Sequence, residues 1–177
     1  MNISPNATFS VAHPVPEPDF YFVGTNHPRT TFLVNAASAR QKRDHVLPAL
    51  EAFQTAVLDA RERVWILDKF FDETHGLPCI WAALEVTNAH DIRILTHQQR
   101  PQTLEDVRHG VNARVEWLRV DAQWMHGRFA LVDGQLWHFG STVGGGYPAF
   151  DAASCWRQAD LVRALEFRFN DAWERRG

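Results

Sequence analysis

The sequence lacks the features that mark disulfide-stapled, zinc-bound or membrane-embedded proteins. Cysteine occurs only twice in 177 residues, at Cys79 and Cys155, with no CxxC pair or zinc-type ligand spacing. Neither a disulfide framework nor a metal site is predicted, and we expect two buried free thiols. No stretch approaches the roughly 18 apolar residues of a membrane span, and the chain begins with neither a basic nor an apolar block. These absences predict a cytoplasmic protein with no membrane contact.

Lysine is equally scarce, since only Lys42 and Lys69 accompany the arginines among the 18 basic residues. Arginine suits bidentate contacts with phosphate, although a coding bias explains the imbalance equally well. The net charge of −3 argues against a protein that coats nucleic acid by bulk electrostatics. Local basic patches are compatible with this charge.

What the sequence does contain is the composition of one globular domain, with 45% hydrophobic and 22% charged residues. Residues 1–19 include four prolines and little periodicity, so we predict a loose N-terminal arm or an edge segment. Residues 20–177 are predicted to form a single domain.

Short apolar runs alternate with segments of helical periodicity along most of this domain. The predicted strands are 20–23, 31–34, 64–67, 92–96 and 115–120, and the predicted helices are 44–60, 78–87 and 104–109. A βαβαβ order of this kind favours right-handed crossovers. We therefore predict an α/β fold with a mixed, mainly parallel β-sheet and helices on both faces.

The last third of the sequence changes character. Runs 128–132 and 136–139 flank Asp133-Gly134, a dipeptide typical of tight hairpin turns. Three glycines follow at 144–146, and residues 158–175 have the apolar stripe of a C-terminal helix that packs on the sheet.

The hairpin carries the most informative pattern in the chain. His126 precedes its first strand, Arg128 begins that strand, Asp133 lies at the turn, and Gly140-Ser141 follows the second strand. This pattern resembles the signature of the phospholipase D superfamily, H-x-K-x4-D followed by a Gly-Ser pair, with Arg128 where lysine is usual. The order of elements matches that superfamily over about residues 30–175. The resemblance implies the same fold and a phosphodiester substrate.

The residue types themselves fit chemistry at phosphorus. A neutral imidazole such as that of His126 is a good nucleophile once fixed donors neutralise the phosphate charge. Arg128 lies two residues further along, and side chains two apart in a strand share a face. Ser141 and Thr142 would add hydroxyl donors, whereas Asp133 is expected to order the turn. The predicted catalytic set is His126, Arg128, Asp133 and Ser141.

Three further residues are predicted to contact the substrate: Thr142, Lys69 and Gly144. Lys69 and Asp68 follow an apolar strand, where the carboxyl end of a parallel sheet would border a cleft, although a solvated loop is the commoner explanation. The glycines at 144–146 could cradle a phosphate with backbone amides, and a flexible loop before the last helix is an equally good interpretation. Asp151, Asp160 and Glu166 are candidates for the acid that orients His126. Trp124 and Trp156 could stack on bases, although core or interface packing explains most tryptophans better.

In the superfamily that this chain resembles, two motif copies each supply a histidine, and neither a metal nor a cofactor takes part. One histidine forms a phosphohistidine and the other protonates the leaving oxygen. This sequence has one copy, so the resemblance implies a homodimer with His126 from each subunit at a shared site.

Two functions remain open. The first is a metal-independent phosphodiesterase, in particular a nuclease. The second is a catalytically impaired fold that serves as a phosphate-binding or nucleic-acid-binding regulatory module. Arg128, and Val143 where an asparagine is frequent, favour the second function, whereas the intact spacing from His126 to Asp133 favours the first.

Overall fold

The computed structural model describes residues 19–23, 48–74, 76–101, 114–121, 125–144 and 151–175. Within these residues the chain forms seven strands and three helices. The strands are β1 (Asp19–Val23), β2 (Arg63–Asp68), β3 (Asp91–Thr96), β4 (Val115–Arg119), β5 (Arg128–Val132), β6 (Gln135–Phe139) and β7 (Asp151–Trp156). The helices are α1 (Pro48–Asp59), α2 (Gly76–Val86) and α3 (Ala159–Glu174).

The strands form one mixed sheet in the order β1-β7-β6-β5-β2-β3-β4. The α/β fold and the mixed sheet are therefore confirmed. Parallel pairing joins β2, β3 and β4, whereas β2–β5, β5–β6, β6–β7 and β1–β7 are antiparallel. The sheet is thus less parallel than the crossover rhythm predicts, because β5 pairs antiparallel with β2 and all later pairs, beginning with the Asp133-Gly134 hairpin, are antiparallel as well. Asp133 accommodates this turn with a φ of 49°.

Helices cover both faces of the sheet, as predicted. One core joins α1 and α2 to the sheet and includes Phe53, Ile66 and Ile80, each 0% exposed. The other core lies under α3, where the Trp65 and Phe169 rings stack with centroids 4.7 Å apart. Successive residues of β2 point to alternate cores, which explains why this strand is an unbroken apolar run.

Most predicted elements appear within a few residues of their expected bounds. Helix α1 begins at Pro48, where a missing N–H costs no hydrogen bond. Asp19, the last residue of the predicted arm, pairs with Cys155 as the first residue of β1 at the edge of the sheet, and residues 1–18 lie outside the described residues. The predicted strand 31–34 and helix 104–109 lie outside the described residues.

Strand β7 is the element that the sequence interpretation missed. Trp156 is the last residue of this strand, and its indole N–H donates to Ser154 Oγ at 2.9 Å. The segment Asp-Ala-Ala-Ser-Cys-Trp is dominated by small residues with weak strand propensity. It becomes a strand because β6 and β1 pair with it on both sides.

Both cysteines are free thiols. Cys155 is buried, as expected, and burial raises its pKa to about 11. Cys79 is only half-buried. None of the helices in the described ranges combines the length and apolarity that crossing a membrane requires.

Candidate active site

Several strand ends meet at one rim of the sheet. Strands β2, β3 and β4 are parallel and end there at Asp68, Thr96 and Arg119. Strand β5 runs against β2, so it begins there at Arg128, and β6 ends there at Phe139. We call this the carboxyl rim, and we call the other rim, where β2 and β3 begin, the amino rim. The motif residues around β5 are therefore divided between two rims.

Arg128 lies at the centre of the carboxyl rim, directly opposite Asp68 in the β2–β5 register. Its guanidinium Nη1 donates to the Gly140 carbonyl at 3.2 Å, and its Nε lies 3.9 Å from Asp68 Oδ1. Arg128 thus connects the ends of three strands. Its side chain is 28% exposed, so the guanidinium can also reach a solvent-borne anion.

Asp68 is fully buried and holds the segment that follows β6. Its Oδ2 accepts hydrogen bonds from the Thr142 hydroxyl at 2.5 Å and from the Val143 N–H at 2.8 Å. Its Oδ1 accepts the Phe70 N–H at 2.9 Å. Burial raises the pKa of this carboxyl, while these hydrogen bonds and the nearby Arg128 charge oppose the rise. Asp68 therefore fixes the approach of residues 140–143 to Arg128.

His126 is exposed and lies two residues before the start of β5. The residue after it must be small, because a Cβ on Gly127 would lie 1.9 Å from the Phe129 ring. That ring also packs on His138 with centroids 4.8 Å apart. The glycine lets the chain enter β5 beneath Phe129 and brings His126 to the carboxyl rim, two residues from Arg128.

Ser141 and Thr142 differ in their surroundings. Ser141 is half-buried and lies between Gly140, which is bonded to Arg128, and Thr142, which is bonded to Asp68. Thr142 is buried, and its hydroxyl proton is directed to the Asp68 carboxylate. The side chain of Thr142 therefore positions the segment, although its predicted contact with substrate stays a prediction.

Lys69 and Gly144 also lie beside this rim. The Lys69 ammonium is 5.4 Å from the Phe70 ring centroid, and the Lys69 carbonyl accepts the Thr96 hydroxyl at 3.3 Å. Gly144 has a φ of 90° and is buried against α2, where an added Cβ would come within 3.1 Å of Cys79 Cβ. A glycine is required there by backbone conformation and space. Glycines 145 and 146 lie outside the described residues.

Asp133 is not brought together with the other predicted catalytic residues. It lies at the amino rim, five residues after Arg128 along an extended strand, a separation of about 17 Å. Its carboxylate accepts the backbone N–H groups of residues 61, 62 and 63 at 3.0, 2.9 and 2.9 Å. Partial burial alone would raise its pKa, but these hydrogen bonds outweigh that effect and lower it. Its visible role is to join the β5–β6 turn to the start of β2.

Two of the three acids proposed to orient His126 lie elsewhere. Glu166 forms an ion pair with Arg63, the first residue of β2, and therefore lies toward the amino rim. Asp160 pairs with Arg163 in the first turn of α3. Asp151 is the first residue of β7, which begins at the carboxyl rim next to Gly140, but its side chain is outside the described set. The buried acid of the carboxyl rim is Asp68, which the sequence marks only as a carboxylate at the end of a buried strand.

A further cation of the carboxyl rim comes from β4. The Arg119 side chain is exposed, and its Nε donates to the His97 carbonyl at 3.1 Å. The His97 ring Nδ1 lies 3.1 Å from the Val120 carbonyl. Together with Arg128 and Lys69, the Arg119 guanidinium makes the rim suited to an anion. Across the residues that the structure describes, no three His, Cys, Asp or Glu side chains are grouped as a metal site.

Comparison with known proteins gives a match in structure and not in sequence. No family model and no curated protein matches the sequence. NucT from Helicobacter pylori is similar with a TM-score of 0.57 and 13% identity, over 89% of this chain and 96% of NucT. Nuc from Salmonella typhimurium, a phospholipase D family member, is similar with a TM-score of 0.51 and 13% identity, over 89% and 95% of the two chains.

Phosphatidylserine synthase from Haemophilus influenzae has a TM-score of 0.51 and 13% identity, with 86% of this chain matched to 36% of that protein. The present chain therefore corresponds to about a third of that longer protein, but to nearly the whole length of NucT and Nuc. Similarity at these identities shows the fold. The resemblance predicted from the hairpin motif is confirmed at that level.

Proposed function

We propose that this chain, which has the phospholipase D-like fold, is a phosphodiesterase that cleaves nucleic acid through a phosphohistidine intermediate, without a metal or cofactor. One observation carries the proposal. An exposed histidine precedes β5 by two residues, and Arg128, the first residue of that strand, is bonded to the segment that contains Ser141. Nucleophile, cation and hydroxyl donor thus come from one rim.

In the proposed reaction, Arg128 and the Ser141 hydroxyl hold a non-bridging oxygen of the phosphodiester. The neutral imidazole of His126 attacks phosphorus, so that a P–N bond forms while the P–O bond to the leaving group breaks. A water molecule then attacks the phosphohistidine, which breaks the P–N bond and restores His126. Asp68 and Thr142 act as positioning residues, and Lys69 holds a neighbouring phosphate.

The leaving oxygen needs a proton, and the proposal assigns that proton to the partner subunit's His126. The sequence contains a single copy of the motif, so a second copy of the chain would supply the second histidine across a two-fold axis. The same imidazole would then accept a proton from the attacking water, because microscopic reversibility reverses its role. A homodimer is therefore part of this function.

A second candidate is a binding module that holds phosphate without turnover. Two observations favour it. The Arg128 guanidinium already has a carbonyl and a carboxylate beside it, so it is stably held without substrate. Val143 is 0% exposed in the core, so it adds no polar side chain to the rim.

The decisive experiment incubates wild-type and His126→Ala protein with single-stranded DNA, duplex DNA and RNA in the presence of EDTA. Light scattering measures the mass in parallel. We expect a dimer whose cleavage falls by roughly 10³-fold or more in the variant, since the nucleophile is lost. Thermal unfolding should be unchanged because His126 is exposed.

His90→Ala is the matched control, because His90 is an exposed histidine at the amino rim, just before β3. It should retain full activity. Tight binding without product from a folded dimer would favour the second candidate. Activity that survives His126→Ala, or an active monomer, would refute the two-histidine mechanism.

A further inference from the structure

Phe70 is an exposed aromatic side chain beside the candidate active site. It is 44% exposed and lies in the turn that follows β2 at the carboxyl rim. The other large apolar side chains that the described part of the chain leaves exposed lie on the helices: Leu58, Val86, Leu161 and Phe167. The position of Phe70, and not its exposure alone, therefore sets it apart.

The Phe70 backbone is tied to the same carboxylate that organises the site. Its N–H donates to Asp68 Oδ1 at 2.9 Å, and the next residue, Phe71, is fully buried with its N–H bonded to the Asp68 carbonyl at 3.2 Å. Asp68 also holds Thr142 and faces Arg128. The position of the ring is thus coupled to the position of the predicted phosphate ligands.

Two cations lie near this ring. The Arg128 Cζ is 5.3 Å from the ring centroid, and the Lys69 Nζ is 5.4 Å from it. Both distances are within the range of a cation–π contact. A ligand that approaches here meets positive charge beside an aromatic ring that is 44% exposed, and each nucleotide of a nucleic-acid strand carries a phosphate and, on the other side of its sugar, a flat π-system.

We propose that Phe70 is the stacking platform for a nucleobase next to the phosphate held by Arg128. This inference rests on the proposed function for its phosphate site and adds a specificity-determining residue to it. A base can stack on Phe70 only when it is not paired within a duplex. The site would therefore favour unpaired nucleotides with an intact base over a bare sugar-phosphate backbone.

The test measures binding by fluorescence anisotropy in a His126→Ala background, so that cleavage does not interfere. The probes are a labelled single-stranded oligothymidylate and an abasic strand of equal length and charge. Phe70→Leu should weaken oligothymidylate binding about tenfold, the loss expected for one stacked base, and should leave abasic binding unchanged. Phe70→Trp should restore or improve binding to the base-containing strand.

Phe167→Leu makes the same substitution at an exposed position of α3 and should change neither affinity. Equal losses on both strands, or no loss on either, would overturn the stacking role. Loss of binding to anionic phospholipid vesicles, with oligothymidylate binding intact, would overturn it in favour of a lipid surface. Base-dependent binding by a wild-type protein that cleaves nothing would support Phe70 while refuting the catalytic proposal.

Discussion

Two aspartates join distant segments at opposite rims of the sheet, and they do so in different surroundings. Asp68 at the carboxyl rim accepts hydrogen bonds from Phe70, Thr142 and Val143, and it faces the Arg128 guanidinium. Asp133 at the amino rim accepts hydrogen bonds from three consecutive backbone N–H groups. The Asp68 carboxylate lies among groups that can bind phosphate, whereas the Asp133 carboxylate binds the backbone of residues 61–63.

The difference teaches that membership in a sequence motif does not establish a chemical role. Asp133 belongs to the His-x-Arg-x4-Asp pattern, yet the five residues of β5 carry it away from His126 to the other rim. Asp68 belongs to no recognised motif, yet it is the buried acid beside Arg128. Strand β5 therefore runs from the carboxyl rim, which holds the candidate active site, to the amino rim, where Asp133 joins the turn to β2.

The largest expected difference between the two rims comes from the same substitution made at both. Asp68→Asn replaces one carboxylate oxygen with an amide that cannot accept the hydrogen bonds of Phe70 or of Thr142 and Val143. The freed segment would shift the donors at the carboxyl rim, and a displacement of about 1 Å can lower a rate about 10²-fold. We expect kcat to fall by that order, with a smaller change in KM because Arg128 remains.

Asp133→Asn is the matched comparison and should leave kcat within about twofold below its unfolding temperature. Steady-state kinetics on a single-stranded substrate measures both variants. Equal losses of kcat would show that the two rims are not functionally separate.

The sequence predicts the hairpin turn at the amino rim better than the contacts of Asp68 at the carboxyl rim, and the reason is physical. The hairpin, its Asp-Gly turn and the apolar run of β2 are local patterns, and each appears as expected. The hydrogen bonds of Asp68 to Thr142 and Val143 cross 74 and 75 residues of sequence, so no local pattern encodes them. The available signal was a carboxylate that ends a buried strand, where only a partner elsewhere can satisfy it.

Strand β7 is a second feature that depends on contacts distant in sequence. Its small residues give a weak local strand signal, and the strand exists because its backbone completes the pairing between β6 and β1. The sequence does not distinguish Phe70 either, since an exposed phenylalanine looks the same in sequence as its buried neighbour Phe71. Tertiary pairing and burial thus decide what composition leaves open.

A second effect concerns stability at the amino rim. Asp133→Ala removes the acceptor of three backbone N–H groups, of which two are solvent-exposed and can bind water instead. It also places alanine at a φ of 49°, which asparagine tolerates better. We expect the free energy of unfolding to fall by about 2 kcal/mol, as measured by urea denaturation.

Asp133→Asn keeps one acceptor oxygen and the turn conformation, so it should lose less than Asp133→Ala. A loss below about 0.5 kcal/mol for Asp133→Ala would mean that the joint between the turn and β2 contributes little.

The smallest expected effect is an opposite pH dependence of stability for substitutions at Asp68 and at Asp133. Partial burial alone would raise the pKa of Asp133, but the hydrogen bonds from residues 61–63 lower it. The ionised carboxylate of Asp133 therefore stabilises the fold fully above the unfolded pKa of about 3.9, and this stabilisation is lost as pH falls through the lower folded pKa. Burial raises the pKa of Asp68, so the folded state binds a proton at this carboxyl before the unfolded state does and gains stability as pH falls toward about 3.9.

Urea unfolding from neutral pH to pH 3 measures both effects. The loss of unfolding free energy in Asp133→Asn relative to wild type should shrink at the acid end, while the loss in Asp68→Asn should widen as pH falls. Each slope is limited to about 1.4 kcal/mol per pH unit for one proton. Parallel curves of unfolding free energy against pH for the two variants would contradict the opposite pKa shifts. A carboxylate with a lowered pKa and one with a raised pKa cannot take up protons identically on folding.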